Sequence, residues 1–287
     1  MGAPALSPLL TWWEAQRRDL PWRATRDPWA VLVCEVMAQQ TQVARVAERW
    51  APFLEEFPDP AAVARAPVAA LVQAWSGLGY NRRAVNLHRC AVAVVEHHDG
   101  RLPASLPDLL ALPGIGPYTA RAVLAFAFEV DAAIVDTNTA RVLARWAGHR
   151  LTATAAQAAA DRALVPGRAW AWNQAMLDLG AGVCTRRTPR CADCPVRDRC
   201  TWHQRGLTEP DPADGSAGVS GGQAPFAGSD RQGRGRLVEA LRSRRVPSSE
   251  LAEVMGWPTE PARAERMAAG LVGEGLIRFD GDAYGLP

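Results

Sequence analysis

The sequence predicts an all-α protein of two lobes that ends in a small α+β, winged-helix-like unit. Three observations carry this. Residues 6–181 divide into short segments of helical periodicity separated by Pro and Gly. No convincing period-2 strand precedes residue 206. The stretch Leu276-Ile277-Arg278-Phe279-Asp280-Gly281-Asp282-Ala283-Tyr284 then has the pattern of a hairpin turning at Asp280–Gly281.

In chain order, residues 6–18 read as a helix bearing the pair Trp12-Trp13, stopped by Pro21. Asp27-Pro28 is a helix start, and 28–39 continues it. Further helical patterns cover 43–57, 60–66, 68–76, 81–98, 105–111, 117–128, 137–146, 153–164 and 168–181. At 207–230 the composition shifts to Gly, Ser, Pro, Ala and Asp, which predicts a flexible linker. Residues 231–287 read as folded again, with helical patterns near 232–243, 248–255 and 260–273 before the hairpin.

The 287 residues are 48% hydrophobic, enough for a buried core in two or three compact units. No run approaches eighteen apolar residues and no secretory pattern opens the chain, so a soluble cytoplasmic protein is expected, with no membrane partner. Monomer is the default expectation. The net charge of +2 is uneven: residues 1–208 hold 23 Arg against 18 acids (+5), and residues 209–287 hold 9 Arg against 12 acids (−3). A modestly basic front suits an anionic partner such as DNA, but +5 is also ordinary for a soluble domain. Every basic residue is Arg, so no Lys can form a Schiff base.

Four of the six Cys form the series Cys184-x6-Cys191-x2-Cys194-x5-Cys200. Four thiolates suit a [4Fe–4S] cluster. Zinc is the alternative, although zinc ribbons usually carry two Cys-x2-Cys knuckles and this chain has one. Disulfides are disfavoured by the expected compartment. Arg186, Arg187 and Arg190 in the loop could meet phosphates or simply balance thiolates. Upstream, Leu112-Pro113-Gly114-Ile115-Gly116-Pro117-Tyr118-Thr119-Ala120 joins two helices. Gly114 and Gly116 permit positive φ and close backbone approach, and the free amides of the next helix suit a phosphate. This is either a helix–hairpin–helix grip on DNA or a plain αα-turn.

With the glycine hairpin, the four Cys and an acid after the hairpin, the chain resembles the endonuclease III superfamily, and within it the adenine DNA glycosylases. The resemblance covers residues 6–205 and rests also on Leu20-Pro21-Trp22-Arg23, Glu35-Val36-Met37, Gln39-Gln40-Thr41-Gln42-Val43, Gly77-Leu78-Gly79-Tyr80, Val135-Asp136-Thr137-Asn138 and Asn173-Gln174-Ala175-Met176-Leu177-Asp178-Leu179-Gly180. It implies a two-lobed glycosylase domain over 1–206. One lobe is the six-helix type (27–136); the other is an iron–sulfur lobe (1–26 plus 137–206).

The implied reaction flips adenine from the duplex and hydrolyses its N-glycosidic bond through an oxocarbenium-like transition state. By resemblance, Glu35 protonates the base and later assists water. Its pKa must then be raised by burial, which apolar Val31, Leu32, Val33, Val36 and Met37 would favour; the plain reading is a surface Glu. Asp136 would stabilise the sugar cation, oriented by Asn138, and its place before a helix also makes it an N-cap. At position 118 the superfamily's lyases carry Lys. Here it is Tyr118, which implies a monofunctional enzyme leaving an abasic site, with Tyr118 lining the sugar pocket. Arg18, Trp22 and Gln174 would line the adenine pocket, Gln40 and Thr41 would lie near the orphaned opposite base, and Tyr80 would wedge into the stack.

Three departures weaken the resemblance. Many relatives have a bulkier apolar residue where Ala38 stands and an aromatic where Asn81 stands. The family's usual tail is a larger domain similar to Nudix hydrolases that checks for 8-oxoguanine, and residues 231–287 are too short for it. Two rival readings remain: a thymine glycosylase acting on T:G mismatches, and a non-catalytic iron–sulfur DNA-binding module.

Overall fold

The computed structural model describes residues 7–217, 219 and 225–287. They divide into two compact units: residues 7–31, 104–107 and 116–217, and residues 32–103, 108–115 and 225–287. Two features differ from the expected lobes. The helix after the glycine hairpin belongs to the first unit, and the tail belongs to the second rather than standing alone.

The helices in order are α1 (Ser7–Gln16), α2 (Pro28–Ala38), α3 (Val43–Glu56), α4 (Pro60–Arg65), α5 (Val68–Ala74), α6 (Arg82–His97), α7 (Leu106–Ala111), α8 (Pro117–Phe126), α9 (Thr137–Ala147), α10 (Ala153–Ala163), α11 (Ala169–Gly182) and α12 (Thr201–Gln204). The tail adds α13 (Asp230–Ser243), β1 (Val246–Pro247), α14 (Leu251–Met255), α15 (Pro261–Gly273), β2 (Arg278–Phe279) and β3 (Ala283–Gly285). Local chemistry sets the ends. Asp59, Asp136, Thr152 and Ser229 each cap a helix by accepting from a backbone N–H three residues on. Gly148 ends α9 in the left-handed conformation at φ 71°.

The first unit's core packs Leu9 and Trp13 of α1, Val142 and Leu143 of α9, and Trp172, Met176 and Leu179 of α11. Residues 207–217, where composition predicts a linker, are held instead. Asp211 accepts from the buried guanidinium of Arg145, Ser216 Oγ accepts from Leu151 N, and Ala213 is buried. A single buried ion pair with two hydrogen-bonded turns orders a stretch that composition alone leaves without a core.

The tail has the order helix, strand, helix, helix, hairpin, with sheet order β1-β3-β2, all antiparallel. The predicted hairpin is β2–β3. Strand β1, which pairs Val246 with Tyr284, is two residues long and too short to show alternation. The tail's core of Leu237, Leu241, Met255, Trp257, Leu271 and Ile277 takes in Val72 of α5 and Val85 of α6. Polar contacts fix the same junction: Arg242 donates to the Val72 carbonyl and to Asn81 Oδ1, and Gln73 Nε2 donates to the Arg242 carbonyl at 2.7 Å. Among the described residues no helix is long and apolar enough to cross a membrane.

Candidate active site

Glu35 lies in the last turns of α2 and is 8% exposed, with Val33, Val36 and Met37 buried beside it in sequence. Glu35 is therefore buried rather than on a solvated helix face. The end of α2 is closed by Arg83 of α6, a buried residue that the sequence reading did not single out. Its Nη1 donates to the carbonyls of Val36, Met37 and Gln39, each at 2.7 Å. Its Nη2 donates to Thr41 Oγ1 and to the carbonyls of Leu78 and Gly79. Burial pushes this guanidinium down to about 10. One side chain thus satisfies the orphan carbonyls of a helix end and joins the two loops that carry Gln40, Thr41 and Tyr80. Gln40 (φ 55°) and Tyr80 (φ 46°) are both left-handed without being glycine, a strained conformation that persists where surrounding contacts fix it.

The second carboxylate, Asp136, caps α9 in the other unit. Its Oδ1 accepts from Thr139 N at 2.7 Å and its Oδ2 from Asn138 Nδ2 at 2.9 Å. Asn138 is held in turn by Arg141 Nη2 on its Oδ1 at 2.8 Å. Arg141 also donates to the carbonyls of Cys184 and Gly180. At Gly180 a Cβ would lie 2.6 Å from the Asn138 Cβ, so glycine there is what admits Asn138 against α11.

Arg18, Trp22 and Gln174 also lie in the first unit, Trp22 on a 3-10 turn over Pro21–Ala24. Gln174 is buried and its Oε1 accepts from Arg23 Nε at 2.8 Å. Arg23 also clamps Asp178, which accepts from Arg18 and from Trp13 Nε1 as well. Burial alone would raise the Asp178 carboxyl, but Arg23 and Arg18 more than offset it and hold it below its ordinary value. Arg23 and Asp178 stand inside the quoted motifs, yet nothing in their spacing announces that they organise this region.

In the hairpin, Gly114 is left-handed at φ 78°, and a Cβ there would meet Asn86 at 2.8 Å. Gly116 differs from expectation: its φ of −95° is open to any residue, and a Cβ there would meet nothing within 4 Å. Tyr118 occupies the first turn of α8 and is half-buried.

Cys184, Cys191, Cys194 and Cys200 line one small cavity together with Leu179, Val183 and Trp202. Among the described residues no three His, Cys, Asp or Glu side chains are close enough to hold a single metal ion. Arg145 Nη1 lies 3.3 Å from Cys184 Sγ, and Trp202 stacks 4.7 Å from the same guanidinium.

Residues 33–166 match the family described as HhH-GPD superfamily base excision DNA repair protein. The adenine DNA glycosylase of Mycobacterium tuberculosis is 41% identical over 276 residues, which cover 94% of this chain and 88% of that protein. This chain belongs to the adenine DNA glycosylase family. The family's mouse member is 38% identical over 69% of this chain and 42% of its own length. The mycobacterial match is too long to leave out the tail. A solved thermostable thymine-DNA glycosylase superposes with a TM-score of 0.65 at 30% identity, covering 70% of this chain and 95% of that one. The helix-rich fold is that of the superfamily.

Proposed function

We propose that this chain is a monofunctional glycosylase of base excision repair that hydrolyses adenine mispaired with 8-oxoguanine or G in double-stranded DNA. It leaves an abasic site and does not cut the strand. The activity rests on family membership, and the observation that carries the assignment of residues is the bonding of Asp136. Both of its oxygens accept hydrogen bonds from α9, so the carboxylate is pre-oriented before any substrate arrives.

In the reaction, the buried Glu35 carboxyl donates its proton to the adenine ring as the C1′–N9 bond breaks and its electrons leave with the base. The Asp136 carboxylate stabilises the cationic sugar. Glu35, now ionised, takes a proton from the water that adds to C1′, which restores the starting state. Tyr118 occupies the place of the lyase Lys, and a chain without Lys cannot form the Schiff base that leads to strand cleavage. Arg18, Trp22 and Gln174 bound the adenine pocket. Gln40, Thr41 and Tyr80 meet the duplex where the base leaves. The open space over Gly116 suits close approach of a phosphate to the hairpin backbone.

Cys184, Cys191, Cys194 and Cys200 suit a [4Fe–4S] cluster, because all four open on one largely apolar cavity and a guanidinium stands beside one sulfur. When bound, the cluster supplies a rigid cross-link of the 184–200 loop. The enzyme acts as a monomer on bacterial DNA in the cytoplasm.

Single-turnover base release tests the reading, on duplexes holding A opposite 8-oxoguanine, A opposite G, T opposite G and matched A:T, each with and without alkali. Strand breaks that need alkali and appear only at the A mispairs are expected, and Glu35→Gln abolishes them while retaining DNA binding. Release at T opposite G would favour the thymine branch, which the structural likeness to a thymine glycosylase keeps in view. Nicking without alkali would overturn the monofunctional assignment.

A further inference from the structure

The first unit carries a cavity of about 520 Å³ that the reaction above leaves unused. It is a groove of small-molecule size. Trp12, Gln16 and Arg18 reach it from α1 and the turn after it, Asp178 and Gly182 from α11, and Arg190 from the cysteine loop. It neighbours the adenine pocket along one helix. Gln174, Asp178 and Gly182 stand four residues apart, so they follow one another turn by turn on one face of α11. Eight residues of helix separate Gln174 from Gly182 by about 12 Å. Gln174 and Trp22 do not line the groove. Between pocket and groove lie Asp178 and Arg23, whose Nε donates to Gln174 Oε1 and whose Nη1 and Nη2 donate to Asp178.

Charge selects the kind of ligand. The groove's guanidiniums, Arg18 and Arg190, are matched by the carboxylates of Asp178 and Asp193, each pair in contact. A balanced lining does not favour a phosphate, and it suits a neutral ligand with donors and acceptors on its rim. The rest of the lining suits a flat one. The adjacent tryptophans divide their work: Trp13 is buried and its Nε1 donates to Asp178, whereas Trp12 is half-buried at the edge of the same core and borders the groove. An aromatic face stacks any base. Gln16 adds an amide at the exposed end of α1, and an amide can pair with both N6 and N7 of adenine.

Gly182 keeps the groove open. Glycine weakens a helix against alanine, and here Val183 takes the cap, so the helix end does not require it. Packing does not require it either, since a Cβ at 182 would meet nothing within 4 Å. The barrier between pocket and groove also has a part that can move. The Arg18 side chain is 43% exposed, against 7% for Arg23. With Arg18 turned to solvent, Asp178 still accepts from Arg23 and from Trp13 Nε1, so the buried carboxylate is not stranded.

Hydrolysis leaves a neutral purine in the pocket. We propose that the groove is a second purine subsite, which receives the excised adenine along the α11 face, past Arg18, on its way to solvent. The proposal rests on the adenine-glycosylase reading.

The indoles of Trp22 and Trp12 report on pocket and groove separately. Their N–H signals, assigned with Trp22→Phe and Trp12→Phe, are followed by NMR in the full chain during titration with adenine, cytosine or inorganic phosphate. The titrations are repeated in Gly182→Leu, which fills the groove, and in Gln16→Ala, at an exposed position. Adenine is expected to shift the Trp12 signal saturably, and cytosine and phosphate to leave it in place. Affinity read at Trp12 should fall about tenfold in Gln16→Ala and be lost in Gly182→Leu, with the Trp22 titration unchanged in both. In rapid filtration after one turnover on a duplex with labelled adenine, bond cleavage should keep its rate in Gly182→Leu while the label leaves the protein severalfold more slowly. A silent Trp12 overturns the proposal, as does a shift by phosphate, a shift that persists in Gly182→Leu, or unaltered departure of the label from that variant. If wild type releases no adenine from any duplex, the proposed function fails, and the Trp12 titration alone then decides whether the groove takes a purine.

Discussion

Arg141 Nη2 donates to Asn138 Oδ1 at 2.8 Å, while the Nε of the same guanidinium donates to the Cys184 carbonyl at 2.7 Å. Asn138 passes the restraint to Asp136. Three consecutive hydrogen bonds therefore join the backbone of the cysteine loop to a carboxylate capping the start of α9. The planar fork makes this possible, since one guanidinium reaches the Asn138 amide, the Gly180 carbonyl and the Cys184 carbonyl at once.

Replacing Arg141 by Met keeps most of the apolar stem and removes the fork. Adenine release is expected to fall about 10- to 100-fold, the usual effect of losing a group that orients a functional ligand. Arg141→Lys is expected to recover little, because a point charge cannot serve three acceptors. Single-turnover rates beside DNA affinities check this. Unchanged rates in a folded Arg141→Met protein would remove Arg141 from the mechanism.

Arg83 plays the matching part in the other unit. Arg83→Leu leaves the carbonyls at the end of α2 and in the 78–80 loop without a donor, at roughly 1–3 kcal/mol for each buried acceptor not rescued by water. The melting temperature should drop and hydrogen exchange should accelerate at 39–42 and 78–81 ahead of α6. Uniform exchange across the unit would mean that Arg83 serves global stability and not these loops.

Much of this was legible in the sequence, and the reasons are local. Helix limits followed from caps and breakers such as Asp59-Pro60 and Gly148, which act within a few residues. The residues quoted for the site stand where caps and turns put them: Asp136 at a helix start, Gly114 in a left-handed turn. The arginines that hold the candidate residues within each unit were not legible. Arg83, Arg141 and Arg145 sit on helices among 32 arginines, and their sequence neighbours give no sign that each is buried. Each also reaches a partner far along the chain, Val36 for Arg83, Cys184 for Arg141 and Asp211 for Arg145, a relationship that periodicity does not encode. Residues 207–217 escaped for the same reason, since a Pro- and Asp-rich stretch looks unstructured until Asp211 is seen against Arg145.

That pair supplies a further prediction. The Arg145 side chain is 1% exposed, and Asp211 holds it at 2.6 Å next to Cys184 Sγ. Asp211→Ala leaves a buried cation without its counter-charge, a loss of roughly 3–5 kcal/mol. It also frees residues 207–217 from the cysteine lobe. Thermal melting should register the first effect and limited proteolysis after residue 206 the second. If the loop carries a [4Fe–4S] cluster, its visible absorbance should bleach faster in air in the variant than in wild type. Equal bleaching with a lowered melting point would confine Asp211 to a structural role.

Acid should expose the Asp178 hub. Burial would raise this carboxyl, but hydrogen bonds and charge from Arg23 and Arg18 bring its pKa below the ordinary value. A carboxylate depressed in the folded state contributes stability above its unfolded pKa of about 3.9. That contribution is lost as pH falls through the lower folded value. Wild type is therefore expected to lose urea resistance more steeply than Asp178→Asn as pH falls below about 4, and the two to differ by a constant amount above pH of about 5. Because Arg23 also holds Gln174 Oε1, the same substitution should weaken adenine release at neutral pH, where Asn cannot anchor the guanidinium by charge. Parallel urea curves below pH of about 4 would show that Asp178 titrates alike in folded and unfolded chains, and the hub would then owe its order to packing around Trp13 instead.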